Sequence, residues 1–166
     1  MLEHPTLWLS APTAAWPPGL PRTGPLLRRV LAADPREPLG HVAVTPGRWW
    51  PWPAGPRFAA YEGPDASLLF TARRLGWLWP VTVVAEADGN AVAAVYGSYV
   101  SVPQRRLLAH HRRAAGGRAG AFAVAAGVVL ARWETADGGI LLHFTADLGN
   151  EPFAKMGLLA AVLTIS

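Results

Sequence analysis

The chain has 166 residues, which is the size of one ordinary domain. Apolar residues make up 51% and charged residues 16%, so the sequence can bury a substantial core and does not belong to the disordered class. Cysteine is absent, which excludes disulfides, cysteine-based zinc sites and thiol catalysis. Fifteen basic residues against eleven acidic ones give a net charge of +4, and fourteen of the fifteen are arginine.

Residues 1–25 contain six prolines and are predicted to form a proline-rich N-terminal arm. Proline fixes φ and removes a hydrogen-bond donor, so we expect neither regular helix nor a central strand here. The arm is either a flexible tail or an extended segment laid over the domain, and Trp8 and Trp16 favour the second alternative. No basic start followed by an apolar stretch is present, so no signal peptide is expected.

From residue 26 onward, short apolar runs alternate with turn residues, which is typical of an antiparallel sandwich or barrel. Asp88-Gly89-Asn90 is the strongest hairpin turn among them. Nine strands are predicted: Leu27–Ala33, Leu39–Thr45, Phe58–Glu62, Ser67–Arg74, Val81–Ala87, Ala91–Tyr96, Ala121–Ala125, Val128–Glu134 and Ile140–Thr145.

The C-terminal segment predicts a buried helix over residues 151–165. Asn150 can cap it, Glu151 suits its positive end and Pro152 is tolerated in its first turn. After Lys155 the segment has no charged residue and no polar face, so it must be buried on all sides. It is too short to span a membrane. A helix inside a barrel, a helix between two layers and a membrane anchor remain the three alternatives at this point.

Four segments together resemble the tubby C-terminal-like superfamily, in particular its scramblase-like and LURP-one-related branches. They are the hairpin Val81–Tyr96, the pair of strands within Phe122–Glu134, the basic-ended strand Leu68–Arg74, and Asn150–Met156 followed by the apolar helix. The resemblance covers residues 26–166. It implies a mainly β fold, a closed antiparallel barrel of about twelve strands wrapped around the C-terminal helix. Because only nine strands are predicted directly, we expect the others in the loops at 46–57 and 74–80.

The same resemblance implies a function at membranes. Tubby-like members bind phosphoinositides through basic residues, and scramblase-like members are linked to phospholipid movement. This chain has neither the cysteine-rich segment nor a calcium loop of the Asp-x-Asp-x-Asp-Gly type, so lipid scrambling is not expected.

Catalytic motifs are not found in the sequence. There is no phosphate-binding Gly-x-x-x-x-Gly-Lys loop, no Gly-x-Ser-x-Gly and no His-Glu-x-x-His. His110 and His111 are expected in an exposed loop, and His143 is expected at a strand surface or in a hydrogen bond. We therefore expect a non-enzymatic protein without a cofactor or a metal.

An arginine-rich segment follows Pro103 and ends before Gly116-Gly117, and it is predicted to form a basic amphipathic helix. Such a segment is attracted to anionic surfaces, although a solvated insertion with arginines chosen for solubility is the plainer alternative. Another pair of arginines ends the strand Leu68–Arg74. The candidate residues for an anionic ligand are Arg73, Arg74, Arg105, Arg106, Arg112 and Arg113.

Five tryptophans cluster in the middle of the chain, and they serve either as a binding surface or as plugs at the barrel ends. They are Trp49, Trp50, Trp52, Trp77 and Trp79. The sequence thus predicts a cytoplasmic barrel that attaches peripherally to anionic phospholipids at a membrane surface, without a transmembrane segment. A barrel that binds a protein partner is the alternative, and nucleic-acid binding is a weaker one.

Overall fold

The computed structural model describes residues 1–16, 22, 24–33, 37–47, 55, 57–63, 65–76 and 78–165. Its strands are β1 (Thr6–Leu9), β2 (Leu26–Ala32), β3 (Pro38–Thr45), β4 (Arg57–Glu62), β5 (Ser67–Leu75), β6 (Val81–Glu86), β7 (Ala91–Tyr96), β8 (Tyr99–Val102), β9 (Leu107–Arg113), β10 (Ala119–Ala123), β11 (Val129–Ala136) and β12 (Gly139–Phe144), and they precede a helix α1 (Pro152–Ile165).

The twelve strands form one closed antiparallel barrel, which confirms the predicted fold class. Each strand pairs with its neighbours in the sequence, and β1 pairs with β12 to close the sheet, with Thr6 opposite His143 and Leu9 opposite Ile140. Closure leaves no unpaired strand edge. Alternate residues point inward, so the strands supply one continuous apolar lining.

Helix α1 packs inside this lining. Ten consecutive residues, Ala154–Leu163, are buried, as expected for a helix surrounded by sheet. Gly157 permits a close approach between the helix and strands β7 and β8, because a Cβ atom at this position would lie 3.0 Å from both Ala93 Cβ and Val100 Cγ1. Within the described part of the chain, no helix is both long enough and apolar enough to cross a membrane.

All nine predicted strands are present, and three were missed: β1, β8 and β9. The expectation that the missing strands lie at 46–57 and 74–80 is wrong. In the described residues of those two loops, only the ends of β4 and β5 are strand. The missed strands lie instead at the N-terminus and on either side of the 3₁₀ turn at Pro103–Arg105.

The N-terminal segment takes part in the barrel, which corrects the expectation of an arm without a central strand. Strand β1 fits between β12 and β2 because Pro5 and Pro12 flank it and no proline lies within it. The following residues stay beside β2, where Thr13 exchanges two backbone hydrogen bonds with Leu27. Pro17, Pro18 and Pro21 lie outside the described residues.

The barrel has two distinguishable ends, set by the direction of α1. We call the end where α1 begins the lower end and the end where it finishes the upper end. Near the lower end, Arg105 Nε lies 2.7 Å from Glu151 Oε2. Near the upper end, Arg113 Nη2 donates a hydrogen bond to the carbonyl of Ile165 at 3.1 Å. Because strands alternate in direction, every second connection lies at the same end.

Candidate functional site

The upper half of the barrel carries most of the arginines. Strands β2, β5 and β9 each place two arginines toward this end, strand β4 places one, and the β9–β10 connection adds another. They are Arg28, Arg29, Arg57, Arg73, Arg74, Arg112, Arg113 and Arg118. Among the described residues, the carboxylates of this half are Glu134 and Asp137 on and after β11. The upper end is therefore strongly basic.

The lower end has the opposite character. In the part of the chain that the structure describes, its connections and flanking segments hold eight carboxylates, together with Arg105, Arg106 and Lys155. The eight are Glu3, Glu37, Glu62, Asp65, Glu86, Asp88, Asp147 and Glu151. The dipole of α1 has its positive end among these carboxylates and its negative end among the arginines, so both ends of the helix are electrostatically favourable.

The six predicted site residues do not form one site. Arg73, Arg74, Arg112 and Arg113 lie toward the upper end, whereas Arg105 and Arg106 lie at the lower end. The predicted amphipathic helix is wrong. Arg106 has φ 47° and finishes the 3₁₀ turn, and the chain then enters β9, which pairs with β8 and β10. In a strand, neighbouring residues face opposite sides, so Arg112 and Arg113 diverge.

Two of the six arginines contact the ends of the buried helix. Arg105 pairs with Glu151 just before α1, and Arg113 donates to the carbonyl of Ile165 in its last turn. Cations are favourable near a helix C-terminus, so Arg113 stabilises the helix in its position. These contacts give Arg105 and Arg113 a structural role.

Apart from Arg28, which is half-buried and donates a hydrogen bond to the carbonyl of Ser10, the remaining upper arginines are exposed and include a cross-strand pair. Arg57 and Arg73 are directly opposite each other on β4 and β5, and both are exposed. They border an outer groove of about 250 Å³ whose other walls include Thr45 and Thr71. Like charges at opposed positions destabilise a sheet, and an anion bound between them would remove that cost.

Large apolar side chains are exposed at the same upper end. Leu78 and Trp79 in the β5–β6 connection are 75% and 85% exposed, and Leu75 just before them is also exposed. Tyr96 and Tyr99 of the β7–β8 hairpin are exposed and stack on each other with ring centroids 5.9 Å apart. Of the predicted tryptophan cluster, Trp49, Trp50, Trp52 and Trp77 lie outside the described residues.

The adjacent histidines belong to β9, which corrects the expectation that both sit in an exposed loop. His111 is half-buried against Phe122 and Trp133, and its Nε2 lies 3.0 Å from the indole N–H of Trp133, which donates to it. Burial, then the charges of Arg113 and His110, lower the pKa of His111. His111 therefore resists protonation, which would place a further positive charge beside Arg113.

His143 fits its expected role at a strand surface, where its Nδ1 lies 2.8 Å from Thr6 Oγ1 in a hydrogen bond. In the described ranges, no group of three or more acidic or histidine side chains is placed to hold a metal ion.

Sequence reasoning missed the charge separation and with it Arg57, Arg29 and Leu78. The signal was available in principle, since residues in every second connection of an up-and-down barrel lie at one end. The signal places a residue only where the flanking strands are known, and without β8 and β9 both arginine pairs of the segment after Pro103 fall in one connection between β7 and β10. No known protein-family model, characterised protein or solved structure matches this chain.

Proposed function

We propose that this barrel is a peripheral membrane-binding module whose upper end docks onto a surface of anionic phospholipids. The observation that carries the proposal is the coincidence of exposed arginines and exposed Leu78 and Trp79 at one end, with most carboxylates at the other. The resemblance to the tubby-like superfamily, whose members bind phosphoinositides, supports the same interpretation.

The two kinds of side chain have complementary roles at a membrane. Arginines near an anionic surface each contribute about 1 kcal/mol of attraction, which acts over roughly a Debye length. Tryptophan is favoured at the membrane–water interface, because its ring is apolar and its N–H is polar. In this orientation the lower carboxylates point away from the membrane, so they do not oppose docking.

The test is co-sedimentation with vesicles of phosphatidylcholine alone and of phosphatidylcholine mixed with phosphatidylserine, at low and high salt. The informative variant is Arg73→Gln with Arg74→Gln at the upper end. The matched control is Arg105→Gln with Arg106→Gln at the lower end, which changes the net charge by the same amount. We expect the upper variant to bind anionic vesicles roughly thirtyfold more weakly and the lower variant to bind almost as the unmodified chain.

A second variant, Trp79→Ala, tests the apolar contribution and should reduce binding at both salt concentrations. Equal losses in the upper and lower variants would show attraction by net charge alone and contradict oriented docking. If the unmodified chain binds neither kind of vesicle, the membrane proposal is wrong. Exposed Leu78 and Trp79 would then indicate a surface for a protein partner.

A further inference from the structure

A groove of about 470 Å³ runs along the outer face of strands β9 to β12. Four residues from these strands stand in one cross-strand row, in which each is the register partner of the next. The row consists of Arg112, Ala121, Arg132 and His143. All four line the groove, and none of them belongs to the apolar lining of the barrel.

We name this groove the arginine groove. Its floor is formed by apolar residues, most of them small. Ala119 and Ala121 of β10 lie on it beside Leu141 of β12. Their small side chains leave a trough between longer residues on the neighbouring strands. Phe122 and Leu142, next to them in the sequence, point into the core, as strand alternation requires. A flat apolar group can therefore lie against the wall of the barrel here.

Two guanidinium groups border this floor. Arg112 and Arg132 are separated by strand β10 alone, which sets their backbones about 10 Å apart. Both side chains are exposed, and neither has a hydrogen bond or an ion pair with another described residue. Long arginine side chains on opposite banks can converge on one anion, and guanidinium groups match the geometry of carboxylates and phosphates.

Beyond Arg132 the row continues to His143, whose Nδ1 is held by the hydroxyl of Thr6. This bond orients the imidazole at the far side of the groove. Glu134 lies on the same outer face, one alternation further along β11, and also borders the groove. The electrostatic potential in the groove is thus positive between Arg112 and Arg132, and the carboxylate of Glu134 makes it less positive on one side. This arrangement favours a ligand with a single anionic group over a polyanion.

We propose that the arginine groove binds a small organic anion. A carboxylate or phosphate group of the ligand is held between Arg112 and Arg132, and a flat apolar body lies on Ala119 and Ala121. This site is separate from the Arg73 and Arg74 surface used in the membrane proposal, and it requires no membrane.

The experiment is a titration of the unmodified chain in solution, without lipid, followed by two-dimensional amide NMR spectra. The probes are naphthoate and naphthyl phosphate, which carry the two anionic groups on the same body. Neutral naphthalenemethanol tests the need for the anion, and inorganic phosphate tests the need for the apolar body. We expect saturable shifts at the amides of Ala119, Gly120 and Ala121 with at least one naphthyl anion, and much weaker shifts with the two comparison probes.

Two variants locate the site. Arg112→Gln with Arg132→Gln should weaken binding of the naphthyl anion by about tenfold or more for each lost charge-assisted bond. Ala121→Leu keeps both charges and should weaken binding by filling the floor. The matched control, Arg105→Gln with Arg106→Gln, removes the same charge at the lower end of the barrel and should leave the affinity unchanged.

The proposal is overturned if neither naphthyl anion gives saturable shifts at these amides. It is also overturned if naphthalenemethanol or inorganic phosphate binds as tightly, or if the control variant loses as much affinity as the groove variant. Amide spectra of each variant recorded without ligand show whether the barrel is still folded. Because vesicles are absent, failure here leaves the vesicle experiment unaffected, and the reverse also holds.

Discussion

Gly157 of the buried helix offers the sharpest test of how the barrel is packed. Replacing it with alanine adds one methyl group at a point where helix α1 faces β7 and β8. The new Cβ would lie 3.0 Å from Ala93 Cβ and 3.0 Å from Val100 Cγ1. Ordinary contacts between carbon atoms are about 3.5–4.0 Å, so both neighbours must move by a few tenths of an ångström.

Two effects of opposite sign compete at this position. Alanine is favoured over glycine inside a helix by about 1 kcal/mol. Against this, an extra methyl group in a well-packed core costs typically about 1–3 kcal/mol. Neither neighbour can move away easily, since Ala93 Cβ is fixed to the backbone of a paired strand and Val100 is a stiff, fully buried β-branched residue. We therefore expect Gly157→Ala to lower the free energy of unfolding by about 1 kcal/mol.

The assay is thermal and urea unfolding followed by circular dichroism. For a chain of this size, 1 kcal/mol corresponds to a decrease in Tm of about 2–4 °C. A second variant, Val100→Ala, removes one of the two obstructing atoms. In the double variant the two changes should be less destabilising together than their sum. A Gly157→Ala protein that is as stable as the unmodified chain, or more stable, would refute this account of close helix–sheet contact.

Three further predictions concern stability. Leu159→Ala should cost about 2–5 kcal/mol, because Leu159 is fully buried at the centre of the barrel, whereas Leu78→Ala at an exposed position should cost almost nothing; urea unfolding compares the two. His111 has a lowered pKa, so the unfolded chain binds more protons below about pH 6.5 and stability should fall as the pH decreases through this region. His111→Gln should flatten this part of a plot of Tm against pH, and an unchanged slope would rule out His111 and its bond to Trp133 as the cause. Asp88→Ala should lower the free energy of unfolding by about 0.5–1.5 kcal/mol, since Asp88 Oδ1 accepts the backbone N–H of Asn90 at 3.0 Å; a smaller loss in urea unfolding would contradict a stabilising turn.

Local patterns in the sequence were sufficient to predict the helix and nine strands. The helix was predictable because an uncharged stretch without a polar face can be buried only where it is surrounded on all sides. The hairpin at Asp88-Gly89 was predictable because its turn chemistry acts within a few residues. Strands β8 and β9 were harder to predict from the sequence, because they form by pairing with each other and with β10.

The arginine-rich segment shows why a periodicity can mislead. Its two arginine pairs are seven residues apart, which corresponds to about two turns of a helix and would place them on one face. In the structure the first pair lies in the 3₁₀ turn just before β9 and the second pair ends β9, so the two pairs lie at opposite ends of this strand. The choice between the two depends on hydrogen bonds to β8 and β10, and no local feature of the sequence reports those bonds.

The closure of the barrel has a consequence for the order in which this chain can reach its final structure. Strand β1 is made early, but its partner β12 lies more than a hundred residues later, and the helix that fills the interior follows every strand. Contacts of such long sequence separation form slowly, because the chain must first close a large loop. During synthesis the growing sheet therefore carries two open edges and an unfilled apolar face. Only the last fourteen residues of the described chain, Pro152–Ile165, remove that exposure, so a nascent chain that stalls before them is the species most prone to aggregate.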